Sequence, residues 1–191
     1  MRHTLQCIAA AVVAACTLAA QASAADAPAN AQASTWQHHE SKFTYMGFTA
    51  SYTCDGIEGK VTQVLKYFGA SKPEVRASGC PRGPNSLSRI INVEVKFDTL
   101  SAAAAETPAA QVVQAQWLPI SLNGQRPFFM GLGDCELIDS MKPTLLATFS
   151  LRNVSYEASC TPHQVTFADF HVKGEVLKVP EGLKSGAEHS S

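Results

Sequence analysis

Four cysteines in two matched brackets constrain this chain more than any other feature. Cys54 and Cys80 lie 26 positions apart, and Cys135 and Cys160 lie 25 apart. Each bracket encloses the same kind of segment, a helical pattern followed by an extended one. Four cysteines allow three pairings. The matched spacing favours Cys54–Cys80 with Cys135–Cys160, because crossed pairings would need the two segments to interlock. A helix of about 14 residues rises about 21 Å, and a returning strand of about six residues covers about 20 Å. A strand that runs back beneath its helix therefore ends near the helix start, where the two sulfurs of a bracket meet.

The first bracket opens with Asp55 and Glu58, a cap-type Asp with Glu three later. Ile57, Val61, Val64, Leu65 and Phe68 then fall on one helical face. Gly69 is a natural stop, and Glu74–Cys80 reads as a strand. The second bracket opens with Asp134, another cap-type residue. Cys135, Ile138, Met141 and Leu145 recur at helical spacing, and Pro143 is expected to limit the regular helix to 134–142. Ala147, Phe149 and Leu151 alternate with polar residues as a strand does. Val154, Tyr156, Ala158 and Cys160 alternate in shifted phase, which predicts a bulge near Asn153. Ile91, Val93, Val95 and Phe97 give the cleanest strand. Further strands are read at 43–53, with a phase shift after Gly47, and at 112–118 and 164–172.

The order strand, helix, strand, strand occurs twice. It predicts an α+β domain of two β-α-β-β units, helices on one face of a largely antiparallel sheet, ferredoxin-like in its simplest form. The run 101–110 (SAAAAETPAA) joins the halves as a linker or as a short helical turn before Pro108. A single shared sheet is preferred over two very small domains, whose cores would be thin.

The ends of the chain read as export and processing. Arg2 supplies a basic start, Ile8–Ala20 is apolar, and Ala22-Ser23-Ala24 has the small-x-small pattern of a cleavage site. Cleavage after Ala24 is expected. Val13-Ala14-Ala15-Cys16 also reads as a lipobox, whose Cys16 would carry a lipid anchor. Removal of 24 of the 191 residues leaves 167, with 14 basic against 16 acidic side chains. Nothing in that balance attracts nucleic acid. No later stretch approaches the roughly 20 apolar residues of a membrane span. Residues 25–35 read as a flexible lead-in, 36–179 as the folded domain and 180–191 as a disordered tail. The periplasm or the exterior is the expected location, where disulfides persist.

Tyr52-Thr53-Cys54-Asp55-Gly56-Ile57, the helix behind it and Ser78-Gly79-Cys80 together resemble a pattern in uncharacterised exported proteins of proteobacteria. The resemblance covers about the first half of the mature domain. It implies a periplasmic setting and a Cys54–Cys80 pair, and it brings no activity and no catalytic residue.

Candidate chemistry is sparse. Cys54 and Cys135 sit at predicted helix starts, where the dipole lowers a thiol pKa, but without a Cys-x-x-Cys pair the bridge reading prevails. His38, His39 and Glu40 cluster in sequence. Neighbours on a strand point to opposite faces, so they are not read as metal ligands. His163, His171 and His189 stand apart. No hydrolase, zincin or P-loop pattern occurs. Asp55, Glu58, Asp134 and Glu136 read as helix-start carboxylates. No cofactor is expected. Two loops remain as partner-contact candidates, through Arg82 in the first and Arg126, Phe128, Phe129 and Met130 in the second. The competing reading, preferred because such side chains are mostly buried, puts Phe128, Phe129 and Met130 in a core strand. The functional expectation is a non-catalytic periplasmic or secreted binding or accessory protein whose partner is an envelope protein or a small ligand. The alternatives are an envelope enzyme with a thiol or hydrolytic site and a lipid-anchored structural protein.

Overall fold

The computed structural model describes residues 30–81, 86–163 and 169–180. The expected signal segment, Cys16, Arg82, the start of the last expected strand at 164–168 and the tail beyond 180 lie outside the described residues. The elements run β1 (Ala31–Met46), α1 (Cys54–Tyr67), β2 (Ser71–Ser78), β3 (Ile90–Ala102), β4 (Val113–Asn123), α2 (Cys135–Thr148), β5 (Leu151–Ser159) and β6 (Asp169–Lys178). The strands form one six-stranded sheet in the order β2-β3-β1-β4-β6-β5, and each neighbouring pair is antiparallel. The molecule is therefore an α+β protein with two helices among the described residues.

One alternating pattern sets the inner face. Ile91, Val93, Val95 and Phe97 of β3 are buried, while Asn92, Glu94 and Lys96 face water. Strand β1 pairs with β3 from Ser34↔Ala102 to Met46↔Ile90, which puts Phe43 and Tyr45 on that same inner face. Ile57, Val61, Val64 and Leu65 of α1 join Leu137, Ile138, Met141 and Leu145 of α2 against it in one core cluster. At about 25 cal/mol per Å² of apolar surface, burial of this kind supplies the main drive to fold. Both expected bridges form, Cys54–Cys80 with Cα atoms 5.9 Å apart and Cys135–Cys160 with 5.6 Å. They fit an oxidising compartment. No described helix is long and apolar enough to cross a membrane.

Several boundaries differ from the sequence expectation, each for a physical reason. Strand β1 begins at Ala31, inside the stretch expected to be a flexible lead-in. Its first residues pair with β4 (Ala31↔Gln116 to Ser34↔Val113), and from Ser34 onward the strand pairs with β3. Backbone ladders hold this segment without large side chains, and Ser34 is fully buried. Strand β1 also stops at Met46 instead of running on to Thr53. The Tyr45 hydroxyl donates to the Ala50 carbonyl at 2.8 Å and folds the chain over Gly47. A Cβ at Gly47 would lie 2.2 Å from both of those oxygens.

Helix α1 is capped by Thr53, whose Oγ1 accepts from Gly56 N at 2.9 Å, and not by Asp55. Glu58 does not close a capping box but accepts from Ala77 N of β2 at 2.7 Å. Gly69, at φ +98°, does end the helix. Gly69 N bonds Lys66 O and Ala70 N bonds Leu65 O, the paired closure that a left-handed residue permits.

Helix α2 runs through Pro143 to Thr148, so Ala147 and Phe149 are not in a strand and β5 starts only at Leu151. Proline in a helix interior costs about 3 kcal/mol. Contacts beyond it hold the helix on course. Thr144 bonds Ser41 of β1 at 2.9 Å, Thr148 donates to Thr144 O, and Thr99 donates to Thr148 O. The expected bulge is present, with Asn153 at φ +53° and a register shift between Arg152 and Ser155. Strand β4 extends to Asn123, past the expected end at Leu118. Beyond Gln116 it is paired by β6 alone, a setting that tolerates Pro119. The linker turn falls after Pro108, as a single 3-10 turn at Ala109–Gln111.

Replacing Cys54 and Cys80 together by Ser is expected to lower unfolding stability by about 3.5 kcal/mol, the chain-entropy value for a loop of this size. Urea unfolding under non-reducing conditions measures it. A change below about 1 kcal/mol would show that the bridge constrains little.

Candidate functional site: a braced loop above two buried carboxylates

Asp134 and Glu136 flank Cys135 at the start of α2, and both are buried. Neither caps its own helix. Glu136 reaches instead to the loop after β1. Its Oε2 accepts from Phe48 N and Thr49 N, each at 2.9 Å, and its Oε1 accepts from Thr49 Oγ1 at 3.1 Å. Asp134 reaches to α1. Its Oδ1 accepts from the Tyr52 hydroxyl, and its Oδ2 accepts from Lys60 Nζ at 2.9 Å and from Gly131 N at 2.7 Å. Lys60 also donates to the Phe129 carbonyl. A buried carboxylate with several donors is a satisfied group, and each donor is a part of the chain it fixes.

The Tyr45 and Tyr52 phenols are both pushed well up, first by burial and then by these carboxylates. Each stays protonated and donates. The arrangement is therefore suited to holding loops.

The loop 124–131 stands on this base. Asn123 Oδ1 accepts from Gln125 N and Arg126 N, each at 2.8 Å, and Met130 N donates to Pro127 O at 2.8 Å. The Arg126–Pro127 peptide is cis. Phe128, Phe129 and Met130 do not form the strand that their apolar character suggested. They divide three ways. Met130 is only 6 % exposed and lies in the core. Phe129 is half-buried, edge-on to Tyr67 with ring centroids 6.2 Å apart. Phe128 is 94 % exposed. Arg126, two residues earlier in the loop, is exposed as well. The result is an aromatic side chain held out in water on a loop whose base is fixed.

The histidines are separated by the sheet. His38 is on the outer face, with Nδ1 2.8 Å from Asp98 and Nε2 3.7 Å from Glu40, which itself pairs with Lys96 at 2.6 Å. His39 points inward to Thr99 Oγ1 at 2.9 Å, beside Phe97. His163 lies edge-on to Phe48, and His171 sits 3.2 Å from Asp169. No group of three or more metal-ligating side chains occurs among the described residues. All four cysteines after Cys16 are bonded in pairs, so none of them offers a thiolate.

Sequence reasoning placed Phe128 and Arg126 among the candidates. It missed Lys60, Tyr52 and the reach of Glu136. Two acids flanking a cysteine were visible, but their partners on α1 and on the loop after β1 lie more than 70 residues away. No protein-family model, curated protein or solved structure matches the chain.

Two measurements follow from this geometry. Asp134→Ala leaves the Lys60 ammonium without its carboxylate, and is expected to cost about 3 kcal/mol in urea unfolding. A cost within about 0.5 kcal/mol of zero, the range of ordinary surface changes, would remove the pair from the account. The second is an NMR titration of the two adjacent histidines. Hydrogen bonding to Asp98 raises His38 above its ordinary value of 6.5, while burial lowers His39 below it. The His38 contribution to stability is complete below 6.5 and is lost as pH rises through its raised value. The His39 contribution is complete above 6.5 and is lost as pH falls through its lowered value. Midpoints on the expected sides of 6.5 support the geometry, and reversed order contradicts it.

Proposed function

We propose that this chain is a non-catalytic binding or accessory protein of the bacterial periplasm or exterior, and that the loop 124–131 is its contact surface for an envelope protein. The observation that carries this reading is the 94 % exposure of Phe128 on a braced loop. An apolar side chain of this size in water adds nothing to the core. A rigid aromatic beside an Arg matches the composition of binding hot spots, and a fixed loop loses little entropy when it docks. The sequence resemblance to exported proteobacterial proteins and the two disulfides support the compartment.

The fold reading that goes with it is a tandem of two β-α-β-β units, β1-α1-β2-β3 and β4-α2-β5-β6, in the spirit of the ferredoxin-like form. In each half the third strand lies between the other two in the sheet order, which supports this reading. The carboxylates at the start of α2 then tie the second unit to the loop and helix of the first.

The test is parallel capture from an envelope extract with wild-type protein and with the Phe128→Ser, Arg126→Glu double variant. The variant is expected to melt as wild type does, since neither side chain is buried. It is expected to lose the specifically retained protein by at least about tenfold, the usual scale for removal of a hot spot. Equal retention by both proteins, or no specific retention by wild type across several extracts, contradicts the reading.

A further inference from the structure

The two edges of the sheet are not alike. At the β2 edge, Lys72, at φ +47°, and Pro73 disturb the start of the strand, and Glu58 of α1 takes the N–H of Ala77. Both devices blunt further pairing. Strand β5 stands last at the other edge, with most of its residues exposed. Its bulge confines regular pairing with β6 to Ser155–Ser159. Alternate residues of that run turn N–H and C=O groups away from β6. Among the described residues, no backbone group of 154–159 bonds outside the β6 ladder.

Two charges of opposite sign flank this run on the outer face. Glu157 stands in β5 opposite His171, and Lys173 stands in β6 opposite Ser155. Both are exposed, and neither makes an ion pair among the described residues. On the face toward α2, Val154 and Leu146 leave apolar surface at the margin, 37 % and 47 % exposed. Tyr156 shares that face. Lys142 rests 4.0 Å from its ring centre and Asp139 lies 3.2 Å from its hydroxyl, so the charges beside it balance.

A second copy of the chain complements this edge. A two-fold axis sets a strand antiparallel to itself and leaves only the register to be decided. An axis at Glu157 sets that residue against its own equivalent, and like charges directly opposite destabilise a pair. An axis at Ala158 sets Glu157 against Ser159 of the copy, with Asp169 on the strand behind it. An axis at Tyr156 sets Glu157 against Ser155 of the copy, with Lys173 behind it. Glu157 and that lysine are then two strand spacings apart, about 10 Å, which their extended side chains bridge across the small Ser155. The axis repeats the pair, so every unpaired charge at the edge finds its opposite. In the same register Val154 meets Ala158 of the copy, which covers part of the apolar margin. We infer that the β5 edge joins two copies of this chain into a reversible two-fold dimer, centred on Tyr156 and held by reciprocal Lys173–Glu157 pairs. The blunted β2 edges end the assembly at two. The paired stretch is short, which places the dimer among the weak interfaces that bury less than about 1,200 Å². This site shares no residue with the Phe128 loop and stands whether or not that loop binds a partner.

Sedimentation equilibrium of the intact protein from about 10 μM to about 1 mM reads an interface of this strength. Hydrogen exchange over the same range locates it. Wild type is expected to pass from monomer to dimer, with new amide protection within 154–158. Glu157→Lys and Lys173→Glu each set like charges across the axis, and each alone is expected to dimerise at least about tenfold more weakly. Mixed in equal amounts, the two variants are expected to form a heterodimer as strong as the wild-type dimer, because every lysine then faces a glutamate. Both side chains are exposed, so each variant should melt as wild type does. Wild type that stays monomeric throughout overturns the inference. So does a dimer that both variants leave unchanged, a mixture no stronger than its components, or protection away from β5. Protection of 154–158 that appears only when a ten-residue peptide of alternating Thr and Val is added, with the chain still monomeric, also overturns it by giving the edge another occupant.

Discussion

A carboxylate taken out of water is tolerable only where donors surround it, so a buried acid dictates what must lie beside it. Glu136 and Asp134 impose this condition on either side of Cys135. The donors they recruit are Phe48 and Thr49 from the loop after β1, Tyr52 ahead of α1, Lys60 within α1 and Gly131 of the exposed loop. Cys135 adds a covalent tie to Cys160, and the Thr161 carbonyl lies 3.3 Å from Thr49 Oγ1. Three segments distant in sequence, residues 48–52, α1 and residues 160–161, therefore converge with Gly131 on the first turn of α2. The position of Phe128 depends on that convergence, because Lys60 holds the Phe129 carbonyl and Asp134 holds Gly131.

Features of the sequence that depend on neighbours were legible. The β3 alternation, the apolar face of α1, the stop at Gly69, the bulge at Asn153 and the pairing of cysteines at matched spacing all follow from local geometry. The rest depends on partners far along the chain. The stretch 31–35 lacks large apolar side chains, and the ladder to β4 over 31–34, continued by the ladder to β3 from Ser34, makes it a strand. Pro143 reads as a helix end until Ser41 and Thr99 are known to hold the turns after it. Glu58 and Glu136 look like helix-start acids because that is where they stand, although each bonds a backbone elsewhere. At the candidate loop the sequence gives three adjacent apolar side chains but not their division among core, margin and water.

The outer face of the sheet carries a different order of interaction. Lys42 pairs with Glu94, Lys96 with Glu40, and Arg152 with Glu175 while stacking on Trp117. These exposed pairs are each worth at most about 1 kcal/mol. Their effect is to keep the face polar and resistant to stacking, which leaves the inner core and the α2 junction to provide stability. The two sheet edges divide in the same way, one closed by Glu58 and Pro73 and the other without partners among the described residues.

Native-state hydrogen exchange at the amides of Phe48 and Thr49 tests the junction most directly. Both residues lie in a loop, where amides ordinarily exchange by small local openings. If the Glu136 carboxylate fastens this loop to α2, both amides should exchange only with the opening that also exposes the β3 core, at a free energy equal to that of Val93 and Val95. Exchange at close to the unprotected rate, with β3 still protected, would contradict the claim that the buried carboxylates hold the molecule together.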